Sequence, residues 1–543
     1  MSLLAVAGTM ISFTAVATVV AVPANAQTTY PISLCDKYCD GRDPALAVAD
    51  RVGTTDVFDG RTVALHFDDA DNMAWASIDG GTPGDTAWVD RSFDGGYDWQ
   101  PYGSKLGKTT IPSGRTGWRT LMYNLDQWSS TRPLEGVVRA CGQTGSTISC
   151  TPWARTTWNA ANNQRAAATA LMEFYDVGNA GGVASQGGTQ LFDHAAPGST
   201  ADSWWHSAND LTALIDNIQV TGMDSYQAFI GWTYSVNKTK GVSFDQYGDF
   251  TNNYMDDTGW WAMTWINAYD LTGNASYLTT AEDDANWMAQ HWTTSPCNGG
   301  VVWSIAPNVQ PYKNAITNEL YLYVNAALHN RIHGDTTYLN RAEQEWNWFS
   351  PPGKMINSGN LINDGLTGNS TTCTNNGGTT WTYNQGVVLE GLAELYKATG
   401  NAGYITAAET LADASTTANV LNPTSATAPR GELTEPGGTT ATSNGDSQMF
   451  KGAYIRGLWE LNKVTSGRYS CYLDRQSAVA YLHDRNPADQ YGYSWAGPWS
   501  STAQNGPDQP TSSQEGSALF LANAGPAFVS PSDPAVTAAL NCT

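Results

Sequence analysis

The chain has 543 residues, 41% apolar and 11% aromatic, which is too long for one ordinary core and comfortable for two domains. Acidic residues outnumber basic ones 50 to 27, and the net charge of −23 excludes a nucleic-acid binder or a protein held to anionic lipid by a basic patch. A neutral or cationic substrate is expected, and the 22 Trp and 25 Tyr suit stacking on sugar rings as well as filling a helical core.

Residues 1–26 read as a secretory signal. An apolar run from Leu3 to Val22 leads to Pro23-Ala24-Asn25-Ala26, a small-x-small cleavage site before Gln27, although no Lys or Arg precedes the run. Cleavage would leave about 517 residues, with no later stretch of the roughly 18 apolar residues needed to span a bilayer. A secreted protein, free of the membrane once cleaved, is expected. All eight cysteines follow the signal, and an even number in an exported chain suggests disulfides. Cys35–Cys39 and Cys141–Cys150 are the expected local pairs; Cys297, Cys373, Cys471 and Cys542 are left unassigned. No CxxC occurs and the seven His cluster nowhere, so neither a metal nor a cofactor is expected.

Residues 27–152 read as a β-rich accessory domain. Short strands such as Arg61–Phe67, Met73–Ile78 and Thr86–Val89 are broken by Gly, Asp and Pro, as in a small sandwich. Ser92-Phe93-Asp94-Gly95-Gly96-Tyr97-Asp98-Trp99 resembles an Asp-box hairpin, in which Asp94 would cap its own turn. Asp68-Asp69, beside Asp71, reads as a turn or a weak cation site.

From Trp153 the texture becomes helical, and a motif repeats. Thr272-Gly273-Asn274 runs into Tyr277-Leu278, His333-Gly334-Asp335 into Tyr338-Leu339, and Thr399-Gly400-Asn401 into Tyr404-Ile405. Looser copies begin at Thr221-Gly222 and near Gly467. Gly would end one helix in a left-handed cap, Asn or Asp would aid the turn, and Tyr-Leu would open the next helix. Gly222, Gly273, Gly334 and Gly400 are 51, 61 and 66 residues apart, about one helical hairpin each. Residues 153–526 then hold about six hairpins, predicting a mainly α protein with an (α/α)6 toroid; an open solenoid is the alternative. Residues 527–543 read as a C-terminal tail.

Two further acid pairs invite chemistry. Asp283-Asp284 lies in the helix opened by Tyr277 and reads as the solvated face of an outer helix. Asp256-Asp257 lies in Asn252-Asn253-Tyr254-Met255-Asp256-Asp257-Thr258-Gly259-Trp260-Trp261, just before a helical run. Capping by Asp257 or Thr258 would explain part of it. Glycoside hydrolysis explains more, since a retaining enzyme places a nucleophilic carboxylate about 5–5.5 Å from a proton-donating acid. Aromatic walls and mutual repulsion would raise one of the two pKa values.

The block Tyr254–Trp261, continuing through Ala268-Tyr269-Asp270-Leu271-Thr272-Gly273, resembles glycoside hydrolase family 76, the endo-α-1,6-mannanases and related fungal wall transglycosylases. Tyr312–Glu319, Leu361–Gly365, Trp381–Gly386 and Asp446–Gly452 look like the family in the same order, together covering about 160–525. The resemblance implies an (α/α)6 fold and a retaining mechanism, with Asp256 matching the nucleophile and Asp257 the acid/base. The β domain lies outside the pattern. Substrate contacts are expected from Asn314, Asn318, Asp364, Asn384, Gln385 and Asp446, with capping or buried hydrogen bonds as their structural alternative. Tyr254, Trp204-Trp205, Trp260-Trp261 and Trp381 are candidate walls, with core packing as theirs. The expected function is a monomeric, secreted endo-α-1,6-mannanase acting on α-mannan; the alternatives are a transglycosylase and a non-catalytic carbohydrate-binding protein.

Overall fold

A computed structural model describes residues 33–542, apart from 94–95, 97–98, 100–102, 127–135, 157–161, 176–190, 193, 195–203, 225, 243, 369–371, 437–444 and 500–510. The signal expected at 1–26 and the turn residue Asp94 lie outside the described residues.

Alternating apolar residues build the β region. Strands β1 (Arg51–Phe58), β2 (Arg61–Asp68), β3 (Met73–Asp79), β4 (Thr86–Ser92), β5 (Leu106–Thr110), β6 (Trp118–Arg119), β7 (Tyr123–Asn124), β8 (Val137–Thr144) and β9 (Thr147–Cys150) form two antiparallel sheets. One runs β1-β2-β3-β6, with β7 also on β3; the other runs β5-β4-β8-β9. Val63, Leu65, Phe67, Ala76 and Ile78 of the first meet Ala87, Val89, Val138 and Ala140 of the second in one core. The acids at 68–71 are taken up locally rather than grouped around a cation. Asp69 accepts from Arg51 at 2.6 Å, Asp71 pairs with Lys37 and Arg42, and Asp68 accepts from the Val48 amide.

The helices are α1 (Asn163–Tyr175), α2 (Trp204–Thr221), α3 (Gln227–Asn237), α4 (Met255–Thr272), α5 (Ala275–Gln290), α6 (Ala315–Arg331), α7 (Thr337–Phe349), α8 (Thr382–Thr399), α9 (Ala402–Thr417), α10 (Ser447–Val464), α11 (Ser470–His483), α12 (Ser512–Ala524) and α13 (Pro534–Asn541). Helices α2, α4, α6, α8, α10 and α12 each pack on the next, and α12 packs back on α2, so the inner ring is closed. Helices α1, α3, α5, α7, α9 and α11 lie outside it. This is an (α/α)6 toroid rather than an open solenoid.

The repeated motif makes the turns between inner and outer helices. Gly273 and Gly400 cap α4 and α8 in the left-handed region, with φ of 69° and 68°. Asn274 and Asn401 then cap α5 and α9, each side chain accepting an amide two residues on. The inner helices all run the same way, so six N-termini gather at one mouth. Toward the other end, buried Arg456 fills the axis, bonded to Asp216 at 2.8 Å, Glu390 at 2.5 Å and Asn267 at 2.9 Å.

Among the described residues, no helix is long and apolar enough to cross a membrane. Four disulfides form: Cys35–Cys39, Cys141–Cys150, Cys297–Cys373 and Cys471–Cys542. The segment beyond 526, expected to be a tail, carries α13, which packs Val536 and Ala539 on Tyr481 and Phe528 and is tied down through Cys542.

Candidate active site

The mouth where the N-termini gather opens into a cavity of about 520 Å³. Helix α4 begins with Tyr254 in extended conformation and carries Asp256 and Asp257 in its first turn. There the unpaired amides and the helix dipole favour negative charge. Both carboxylates line the cavity. Asp256 Oδ2 accepts the indole N–H of Trp303 at 2.9 Å, and its Oδ1 accepts the backbone amide of Asp257 at 3.2 Å. Asp257 Oδ2 accepts the carboxamide of Asn252 at 2.7 Å.

Loop pairing brings Trp303 there. The loop leaving α5 bridges the residues before α4: the Met255 amide donates to the Trp303 carbonyl at 2.9 Å, and the Trp303 amide to the Tyr312 carbonyl at 2.8 Å. The next loop repeats the device, since the Ala315 amide donates to the Asp364 carbonyl and the Leu366 amide to the Lys313 carbonyl. Disulfide Cys297–Cys373 joins these two loops.

Burial raises both acids. Burial, then the neighbouring Asp257 carboxylate, holds Asp256 well above the usual range. Burial pushes Asp257 up to about 6, against the Asn252 hydrogen bond, and Asp446 adds to the rise. Asp256 is thus raised further than Asp257, although N–H donors on both of its oxygens oppose the rise and favour its ionised form. Like charges on neighbouring residues favour one proton shared by the pair.

Trp205, Tyr254, Trp260, Asn314, Asp364 and Asp446, all expected from the sequence, line the same cavity. Trp205 stacks on Trp260 and donates to Asp446 Oδ1 at 3.2 Å; the Asp446 side chain is 55% exposed at the rim. Asp364 accepts from the Tyr312 hydroxyl, which in turn accepts from Asn376 at 2.9 Å. Among the described residues, the lining holds four aspartates and neither lysine nor arginine.

Other expected contacts sit elsewhere. Trp204 and Trp261 are buried against each other and Phe250, because consecutive helical residues point about 100° apart and only one of each doublet faces the funnel. Asn318 and Gln385 are buried and clasp backbone: Asn318 takes the amide and carbonyl of Val301, and Gln385 those of Ile362. Asn384 is fully buried away from the lining. Trp381 stands edge-on to Phe450 without reaching the cavity. Asp284 differs from the solvated face expected of its helix: it is buried, while Asp283 is exposed.

The lining also includes Trp303, Tyr312, Tyr383 and Phe450, which sequence reasoning did not select. Tyr312, Tyr383 and Phe450 lie inside the blocks that resemble the family; for Trp303 the sequence carries no local signal.

An acidic, aromatic-walled cavity at the N-terminal mouth of a closed (α/α)6 toroid defines the class, a toroidal glycoside hydrolase. Residues 159–529 match glycosyl hydrolase family 76, well over half the chain, and the chain belongs to that family. Mannan endo-1,6-alpha-mannosidase DFG5 of Saccharomyces cerevisiae is 29% identical over 209 residues, 37% of this chain and 45% of its own length. Mannan endo-1,6-alpha-mannosidase DCW1 of the same yeast is 26% identical over 208 residues, 36% and 46% of the two chains. The chain thus spans about half the length of these curated relatives. Among solved structures, the GH76A alpha-1,6-mannanase from Salegentibacter sp. shares the fold at 19% identity and TM-score 0.54, covering 67% of this chain and 97% of its own. An inactive variant of that enzyme, in complex with alpha-1,6-mannotriose, aligns with a TM-score of 0.53 at the same identity and coverage.

Proposed function

We propose that this protein is an exported, retaining endo-α-1,6-mannanase. The observation that carries the reading is the adjacent Asp256 and Asp257, held differently in one aromatic-walled cavity whose lining, among the described residues, has no lysine or arginine. Neutral sugar rings suit such a lining, with Trp205, Trp260 and Tyr383 offering faces and Asn314, Asp364 and Asp446 offering hydroxyl partners. The names of the yeast relatives and the mannotriose complex of the Salegentibacter enzyme support mannan as substrate. Four disulfides, using all eight cysteines, support export.

The Asp256 carboxylate attacks C1 of the sugar while the bond from C1 to the glycosidic oxygen breaks. Asp257 gives its proton to that oxygen, and the reducing-end fragment leaves. Asp257, now ionised, takes a proton from water as the water oxygen bonds to C1 and Asp256 departs. Two inversions leave the anomeric configuration unchanged.

Incubating the protein with debranched α-1,6-mannan tests this. Short oligosaccharides should appear, with the new reducing end first detected by proton NMR as the α-anomer. No release, together with activity on another glycan, overturns the substrate; a β-anomer overturns retention.

A further inference from the structure

Asn252 precedes the acid pair by four residues, outside helix α4, and is buried. Its orientation is fixed from three directions. Its Oδ1 accepts the Tyr254 amide at 2.7 Å, its own carbonyl accepts Trp287 Nε1 at 3.3 Å, and its own amide meets Thr258 Oγ1 at 3.4 Å. With Oδ1 committed as an acceptor, the carboxamide can turn only its N–H toward Asp257 Oδ2. A carboxyl oxygen that already faces a donor is a poor place for a proton. The other oxygen of Asp257, Oδ1, has no protein hydrogen bond among the described residues, on a side chain that lines the cavity. Asp256 contrasts with this, because an N–H group engages each of its oxygens.

We propose that Asn252 is a positioning residue that directs the proton of Asp257 to Oδ1, the oxygen left free toward the cavity where the leaving group would sit. The inference rests on the glycosidase reading above and adds to it the device that sets which oxygen of Asp257 carries the proton. Asn252 does not line the cavity. It acts through Asp257 alone: without its N–H, the proton is free to settle on either oxygen, and the acid loses a contact that favours its ionised form.

Two variants, Asn252→Ala and Asn252→Asp, test it in the full chain. Asn252→Asp keeps the shape and the acceptor for Tyr254 while removing the donor, so the loop is preserved even where alanine disturbs it. Each is measured on debranched α-1,6-mannan and on a dinitrophenyl glycoside of α-1,6-mannobiose, whose leaving group needs no proton. On mannan, kcat should fall about 10- to 100-fold with little change in KM. On the dinitrophenyl glycoside the loss should stay below about 3-fold. The alkaline limb of the mannan pH profile should move to higher pH in both variants, and further in Asn252→Asp, where a second carboxylate faces the acid. Equal losses on both substrates, with an unmoved alkaline limb in both variants, overturn the proposal and leave Asn252 a purely structural residue. If the parent protein cleaves a different glycan and not α-1,6-mannan, the substrate reading fails by itself. The same comparisons on that glycan then judge Asn252.

Discussion

Trp303 reaches across 47 residues of sequence to place its indole N–H 2.9 Å from Oδ2 of Asp256. That bond favours the ionised carboxylate, opposing the burial and the Asp257 charge that raise it. Trp303→Phe keeps an aromatic ring near Tyr254, 5.3 Å away between centroids in the parent, and removes the donor. We expect kcat/KM to fall about 10-fold, corresponding to ~1.4 kcal/mol, in line with a hydrogen bond to a charged group. The acidic limb of the pH profile should move upward, since Asp256 then loses its charge at a higher pH. Superimposable profiles would show that the bond does not act on the titration of Asp256.

The two acids should fail differently. Asp256→Ala should abolish turnover of every substrate, because no glycosyl-enzyme can form. Asp257→Ala should be crippled on mannan and partly spared on the dinitrophenyl glycoside, with azide restoring turnover as an α-mannosyl azide. Asp283→Ala, on an exposed position of α5, should stay within a few-fold of the parent. Buried Asp284 is no such control. Product analysis by mass spectrometry and NMR separates these outcomes: azide with Asp256→Ala should give at most the inverted β-mannosyl azide, and formation of the α-azide there would reverse the assignment.

The Cys297–Cys373 bond closes a loop of 76 residues and joins the two mouth loops that carry Trp303 and Asp364. Replacing both cysteines with serine should cost about 2–4 kcal/mol. It should also depress kcat/KM on mannan more than the Cys35→Ser/Cys39→Ser variant does, since that pair lies in the β region. Thermal melts and paired kinetics on the two variants check this.

Glu345, buried on α7 with Trp292 Nε1 on its Oε2 at 2.7 Å, is pushed by burial up to about 8. A carboxyl raised on folding binds its proton more tightly in the native state. Its contribution is therefore complete below the unfolded value of 4.5 and is lost as pH rises toward about 8. The expected slope is about 1.4 kcal/mol per pH unit inside that window. Glu345→Gln keeps an acceptor for Trp292 and cannot ionise. Its stability relative to the parent should therefore improve steadily from pH 5 to pH 8, as read by denaturant unfolding at each pH. A difference that stays constant with pH would show that Glu345 does not titrate in this range.

Much of the architecture was legible because the turns are local chemistry. Gly273 and Gly400 must adopt a left-handed cap and Asn274 and Asn401 must accept amides two residues on, whatever the rest of the chain does. Ring closure was not legible, since the packing of α12 on α2 is a contact between the two ends of the repeat. The acid pair and its block were recognisable, yet the helical phase within each doublet was not. Trp204 and Trp205, like Asp283 and Asp284, are equivalent in composition and opposite in surroundings. Asn318 and Gln385 looked like sugar ligands because a carboxamide that clasps a passing backbone needs the same groups as one that grips a hydroxyl. Trp303 owes its place to pairing between two loops, which no single segment encodes.

Closure of the ring has a consequence for synthesis. Trp205 and Asp446 form one wall of the cavity from positions 241 residues apart, on helices α2 and α10, and α12 is wedged between those two helices. The seam is sewn further out as well, where Asn163 and Phe528 exchange a pair of hydrogen bonds. A growing chain therefore emerges from the ribosome with its acid pair already made and its cavity still open along one side. The mouth is complete only when the last inner helix fills the gap, so the cavity cannot take its final shape before the domain is fully translated.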